Sequence, residues 1–276
     1  MRVLAASEPA LADASNEDWF SASPGLVVVL DGATARTDTG CRHGVSWYAA
    51  RLGAAVSGLA VDPETTLASA LSQAIEAVAK QHPECDLTSP GTPSAAVALL
   101  RADATDVEFL ALGDVTIVLD ETSGLQVITD ERVDQTARAQ RRNADRFPIG
   151  SKEKQAALIE MKHAELAARN QPGGFWVAAA DPSVAQHAIT GSARLANLRQ
   201  CAVLTDGAAR IVRMFELLDW PGLLRLLNQE GPHELLRRVR EVEQHDPVGA
   251  RWPRNKRSDD ATVVLVRSSA ESQLDG

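Results

Sequence analysis

Apolar positions along this chain follow two periods, and the switches between them mark out its elements. Residues 2–6 read as a first edge strand, and the small and turn-forming residues of 7–15 as a loop. Leu26 to Leu30 is aliphatic without a break, as in a strand buried on both faces. Val45, Tyr48, Ala49, Leu52 and Val56 then recur at helical spacing and predict a helix over about 41–57. Leu67, Leu71, Ile75 and Val78 predict a second helix over about 63–81. After the loop-forming stretch 88–93, strands are expected at 94–100, 107–112, 115–119 and 125–129, close enough in sequence for an antiparallel meander. Residues 130–169 turn helical and highly charged, with a break at 147–150; Arg138, Arg141, Arg142 and Arg146 form a basic face that reads as solvated. Strands return at 175–180 and 201–205, followed by amphipathic helices at about 208–215, 220–228 and 233–243. A polar loop at 245–258 and a closing strand at 262–267 complete the pattern, and the tail after Ser268 reads as disordered. This order is α+β, sheets covered by helices, and lacks the alternating βαβ rhythm of a doubly wound domain.

Composition narrows the picture without changing it. At 276 residues the chain can bury a sizeable core, and no linker-like shift divides it, so one domain is expected over 1–268, with 269–276 as tail. The residues are 45% hydrophobic and 24% charged, ordinary for a soluble globular protein. A net charge of -9 argues against a general nucleic-acid binder. The run 26–30 is far too short to cross a bilayer and the N-terminus lacks a basic region followed by a long apolar core, so a cytoplasmic protein with no membrane partner is expected. Cys41, Cys85 and Cys201 are odd in number and far apart, suggesting neither a disulfide framework nor a zinc ribbon, and read as reduced packing residues.

The chemistry lies in the acids that end the strands. The run 27–30 delivers Asp31 and at once Gly32, whose lack of a side chain is expected to let the backbone turn so that its carbonyl faces the same spot. A carboxylate at the end of a buried strand is costly unless paired, and a divalent cation is the natural partner. The pattern recurs at Asp206-Gly207, at Gly113-Asp114, and at Asp259-Asp260 before the strand-like 263–266, while Glu17 and Asp18 precede Trp19-Phe20. As unrelated turns, five such acidic strand ends are improbable.

These pieces stand in the order of the metal-dependent serine/threonine protein phosphatases of type 2C, the PPM family, which the chain resembles over roughly 12–267. Asn16-Glu17-Asp18 is similar to that family's N-terminal acidic motif, and Val29-Leu30-Asp31-Gly32 to its first metal-binding Asp-Gly. Gly91-Thr92-Pro93-Ser94 resembles its Gly-Thr-Thr segment, and Ala111-Leu112-Gly113-Asp114 its Gly-Asp-Ser. Leu204-Thr205-Asp206-Gly207 resembles its second Asp-Gly, and 259–264 its closing Asp-Asn-x-Thr. The resemblance implies a four-layer αββα sandwich of two antiparallel sheets covered by helices, with a two-metal centre at one end. It implies that Asp31, Asp206 and Asp259 bind one metal, that Asp31, the Gly32 carbonyl and Glu17 through water hold the other, and that Asp18 and Asp114 belong to the metal site, Asp114 for a third ion if one binds. The ions would be Mg²⁺ or Mn²⁺, since the donors are hard oxygens. The implied reaction is hydrolysis of phosphoserine or phosphothreonine by a water activated between two cations, on a phosphorylated protein made by a serine/threonine kinase. Residues 130–170 would be the family's variable flap.

Two positions depart from the family pattern. The family usually carries a phosphate-gripping arginine three residues before the position of Asn16, where this chain has Asp13. A histidine that often follows the first Asp-Gly is replaced by Ala33. Substitute guanidinium groups are Arg36, Arg42, and Arg254 and Arg257 of the basic loop 251–257; His43 is read as a helix-end residue or a replacement acid. The alternative function is a catalytically impaired pseudophosphatase serving as a regulatory binding module. A haloacid-dehalogenase-like nucleophile loop at 30–34 is set aside, because Ala33 occupies the place of that family's second aspartate.

Overall fold

The computed structural model describes residues 2–23 and 25–267; the tail expected after Ser268 lies outside the described residues. Among the described residues, ten strands form two antiparallel five-stranded sheets. One sheet is ordered β1 (Arg2–Glu8), β10 (Ala261–Arg267), β9 (Leu198–Leu204), β6 (Thr116–Glu121), β7 (Gly124–Ile128). The other is ordered β2 (Trp19–Ser23), β3 (Leu26–Gly32), β4 (Ala95–Ala102), β5 (Asp106–Leu112), β8 (Ile189–Arg194).

The unbroken aliphatic run in β3 is resolved by its period of two. Val27 and Val29 point between the sheets, joining Phe109, Ile117, Val203 and Val264 in the central core. Val28 and Leu30 point outward beneath helices α1 (Val45–Ala60) and α2 (Leu67–Ala79). On the far side Val263, Leu265 and Leu204 pack under α6 (Asp206–Arg213), α7 (Trp220–Gln229) and α8 (Pro232–His245). The layers are therefore helix, sheet, sheet, helix, as expected. Residues 130–169 form α3 (Arg132–Gln135), α4 (Arg138–Ala144) and α5 (Lys152–Ala168), with a small core of Ala144, Ala157, Leu158 and Met161.

Four local expectations are corrected. The four strands after residue 93 are not one meander: β4 pairs β5, β6 pairs β7, and the chain changes sheets at Gly113-Asp114, where Gly113 takes φ +82°. Residues 175–180 make isolated bridges at Phe175 and Ala178 instead of a strand. Between the strands expected at 175–180 and 201–205 lies a further edge strand, β8, which the apolar pattern does not announce because its residues are mostly exposed and not apolar. Of the cysteines only Cys201 is a core residue; Cys41 and Cys85 are half-buried and face histidines.

Candidate active site

Register brings the acids to one end of the sandwich. In one sheet Leu204 lies opposite both Val263 and Thr116, so Asp206, Asp259 and Asp114, each just beyond those residues, emerge together. In the other sheet Leu30 lies opposite Trp19 and Val97, and Val97 opposite Leu112, which puts Asp31 and Asp18 at the same end. Asp31 continues the odd-numbered face of β3 and so points between the sheets.

The glycines serve close approach here, not an unusual turn. Strand β3 runs through Gly32 with ordinary backbone angles; a Cβ there would lie 2.5 Å from the Glu17 carbonyl and 2.6 Å from Val45. At Gly207 a Cβ would lie 1.9 Å from the Asp260 carbonyl. Helix α6 can thus press against the 259–260 segment, with Asp206 as its first residue and not a strand end. Its free N-terminal amide is used at once: Asp206 N donates to Asp31 Oδ2 at 3.1 Å.

Asp31, Gly32, Asp114, Asp206 and Asp259 line one open cleft, with Arg36, Lys162 and Glu165 facing it. The carboxylates of Asp31, Asp114 and Asp206 sit at its floor, partly open to the cleft but otherwise walled by protein. Burial pushes the Asp31 carboxyl well above the usual range, and repulsion from Asp206, Asp18, Asp114 and Asp259 adds to it. Burial and then Asp206 push Asp114 up to about 7. Asp206 is raised by burial and Asp259, with Arg210 and Lys256 opposing. Acids that resist ionisation in this way are short of positive charge, and hard oxygen donors meet that need with a divalent cation.

Around this floor the remaining acids divide by role. Glu17 accepts from Thr34 Oγ1 at 2.7 Å, and burial raises its carboxyl. Asp18 is buried, its Oδ2 accepting from Thr205 at 2.8 Å and Thr262 at 2.7 Å, so it ties the two sheets together behind the cleft and is not among the cleft-lining residues. Asp260 accepts from the amides of Ala10 at 2.6 Å and Glu17 at 2.9 Å and thereby places Glu17. Asp259 is held by two cations that sequence reasoning passed over: Arg210 at 2.8 Å, which also binds Glu243 at 2.7 Å, and Lys256, whose Nζ donates in addition to Thr34 at 2.7 Å. Asp31, Asp206 and Asp259 face one cleft, but their carboxylate oxygens do not all lie within 4.8 Å of one another.

Residues 11–243 match the family described as Protein phosphatase 2C. The chain belongs to that family. No curated protein matches it significantly. The serine/threonine phosphatase PstP/Ppp of Mycobacterium tuberculosis is 17% identical, with a TM-score of 0.57 over 96% of this chain and 97% of that one. Stp1 of Staphylococcus aureus is 13% identical, with a TM-score of 0.55 over 96% and 94%, and MsPP of Mycobacterium smegmatis is 16% identical, with 0.55 over 97% and 98%. At these identities the likeness is one of fold.

Within this protein phosphatase 2C fold, the substitute arginines separate cleanly. Arg36 faces the cleft, donating to the Asn255 carbonyl at 3.4 Å; burial lowers its pKa, with Glu165 and Asp259 opposing. Arg42 is an exposed surface residue paired with Glu84 at 2.8 Å. Arg254 borders the cleft, but its nitrogens are taken by Asp246 and by the carbonyls of Trp252, Glu243 and Arg257, which leaves none for a phosphate. Arg257 is exposed and does not line the cleft. Asp13 is exposed and also absent from the lining. The basic face of α4 is not wholly solvated, since Arg141 pairs with Glu165 at 3.1 Å beside the cleft. Arg210 carried a usable signal, standing four residues after Asp206 on one helix face; Lys256 stands three residues before Asp259 in the loop whose arginines drew attention instead.

Proposed function

We propose that this chain is a divalent-metal-dependent phosphatase acting on phosphoserine and phosphothreonine in proteins. The meeting of Asp31, Asp114 and Asp206 on the floor of one open cleft carries this reading, because burial and mutual repulsion penalise their charged forms and a bound cation relieves both. Asp31, Asp206 and Asp259 would hold one Mg²⁺ or Mn²⁺, and Asp31, the Gly32 carbonyl and Glu17 through water a second, leaving Asp114 for a third. A neighbour of the same fold, PstP, is described in complex with two manganese ions, which supports this choice of metal. Bound there, such ions supply positive charge for a phosphoryl group and lower the pKa of a water toward neutrality.

The chain's own share is orientation. Arg36 and Lys256 approach the cleft from two adjoining loops, and both are placed to grip phosphate oxygens now that Asp13 stands where the family's arginine would be. Thr34 links Lys256 to Glu17 and fixes the side of the cleft beside Gly32. Residues 130–170 serve as the flap, contributing Arg141, Lys162 and Glu165 to the wall. The substrate class is a cytoplasmic phosphoprotein, the product of a serine/threonine kinase.

One observation favours the regulatory alternative: Arg210 and Lys256 already neutralise Asp259. Hydrolysis of p-nitrophenyl phosphate and of a phosphothreonine peptide, with Mn²⁺ and with chelator, separates the two. Mn²⁺-dependent turnover that vanishes in Asp31→Asn is the expected result. Phosphopeptide binding without turnover would transfer the chain to the pseudophosphatase class.

A further inference from the structure

At the far end of the loop that follows Gly32, outside the lining of the acidic cleft, four side chains of different chemistry converge. Cys41 and His43 lie just before α1, and His82 and Cys85 just after α2. Their ligand atoms all fall within 4.8 Å of one another, and among the described residues no other group of three or more His, Cys, Asp or Glu does this. Cys41 Sγ is 3.6 Å from His43 Nδ1 and 3.4 Å from His82 Nδ1, and Cys85 Sγ is 3.5 Å from His43 Nδ1. With Zn–S of about 2.3 Å and Zn–N of about 2.0–2.1 Å, a tetrahedral zinc ion places sulfur and nitrogen about 3.5 Å apart. The contacts match that edge length.

The surroundings are those of a built site. His82 is buried and the other three are half-buried. Trp47 stacks on His43 with ring centres 4.3 Å apart and meets His82 edge-on at 4.5 Å, shielding both imidazoles. His43 N donates to Cys41 Sγ at 3.4 Å, which fixes the sulfur within the cluster. The backbone is shaped to bring the segments together: Gly40 and Gly44 both take positive φ, and a Cβ on Gly40 would lie 2.9 Å from Ser89. A single cation would satisfy all four donor atoms at once. We infer that Cys41, His43, His82 and Cys85 form a structural zinc site that staples the segment between β3 and α1 to the turn after α2. Two thiolates and two imidazoles in tetrahedral array select zinc over the hard ions suited to the carboxylate cleft, and four protein ligands leave no open position for catalysis.

The test is metal analysis of the intact chain purified under reducing conditions from zinc-containing medium. One equivalent of zinc per chain should survive dialysis, persist in Asp31→Asn, and disappear in the double variant Cys41→Ser, Cys85→Ser. Replacement by Co²⁺ in the unaltered chain should produce thiolate-to-cobalt charge-transfer absorption and tetrahedral ligand-field bands. This measurement decides the matter even if the double variant does not fold. Zinc that leaves with Asp31→Asn and stays in the cysteine variant would assign the metal to the acidic cleft and overturn the inference. Reduced protein that takes up no Co²⁺ at its thiols, or a Cys41–Cys85 disulfide as the native state, would overturn it equally.

Discussion

Replacing Asp206 with Asn tests the candidate metal centre through stability, with no need for turnover. In the chain without added metal the folded-state pKa of Asp206 is raised, first by burial and then by Asp259. Its proton therefore stabilises the fold below the unfolded pKa of about 3.9, and that contribution is lost as pH rises through the folded value. At pH 7.5 the charged side chain is a liability, so chelator-treated Asp206→Asn should melt no lower than the parent. Metal reverses the order. A ligand at about 100 times its Kd stabilises a single site by about 2.7 kcal/mol. An unfolding entropy of about 2.1 cal/mol/K per residue, taken over 276 residues, is about 0.6 kcal/mol/K, so the parent's Tm should rise by about 5 °C. Asp206→Asn should lose most of that rise. Differential scanning fluorimetry with Mn²⁺ measures both quantities, and the Cys/His cluster does not blur them, since its soft donors hold Mn²⁺ poorly. An equal Mn²⁺ shift in the variant, or a drop of several degrees in its metal-free Tm, would refute the reasoning.

Arg36→Ala should raise KM for a phosphopeptide about 10- to 150-fold with kcat little changed, the loss of one charge-assisted hydrogen bond of about 1.5–3 kcal/mol, as steady-state kinetics will show. Asp13→Arg should leave KM unchanged in the same assay, because residue 13 is exposed and away from the cleft lining; a large gain in affinity would return the phosphate grip to that position. Arg210→Met strips one partner from buried Glu243 and from Asp259 and should cost up to about 3–5 kcal/mol by urea unfolding, less to the extent that Arg240, 2.9 Å from Glu243, compensates. The metal-free chain should lose stability as pH rises from about 4 toward 7, the interval between the ordinary aspartate value and that of Asp114, and Asp114→Asn should flatten the decline in thermal melts.

How far the site could be read before folding depended on whether a residue's role was local. Asp31, Asp206, Asp259 and Asp114 were legible because each follows or precedes an apolar run, and antiparallel register carries such ends to a common edge. The switch of sheets at Gly113 was not legible, since two hairpins and one meander share the same alternation and differ only in the turn between them. Nor was the role of Gly207, which depends on the Asp260 carbonyl more than fifty residues later in the chain. The Cys/His cluster is the extreme case. Cys41-x-His43 and His82-x-x-Cys85 are each too short to signify, and they meet only because α1 and α2 pack as a hairpin.

That cluster and the most misleading arginine share a function. The wall where phosphate would be gripped is made of two segments with little regular structure, 33–44 and 246–260, and they touch where Arg36 meets the Asn255 carbonyl and Lys256 meets Thr34. Side chains on such segments hold a useful geometry only if the backbone beneath them has already lost its freedom. In 246–260 the fixing element is Arg254, whose buried guanidinium gathers Asp246 and three further carbonyls of the neighbouring turns and so sets the course of the chain into Lys256. In 33–44 it is the attachment of Cys41 and His43 to His82 and Cys85, reinforced by the Asp86 amide donating to the Gly40 carbonyl at 2.9 Å. Each loop thus spends one strongly bonded anchor to present one cation, and the anchor, being consumed, cannot itself be the phosphate ligand.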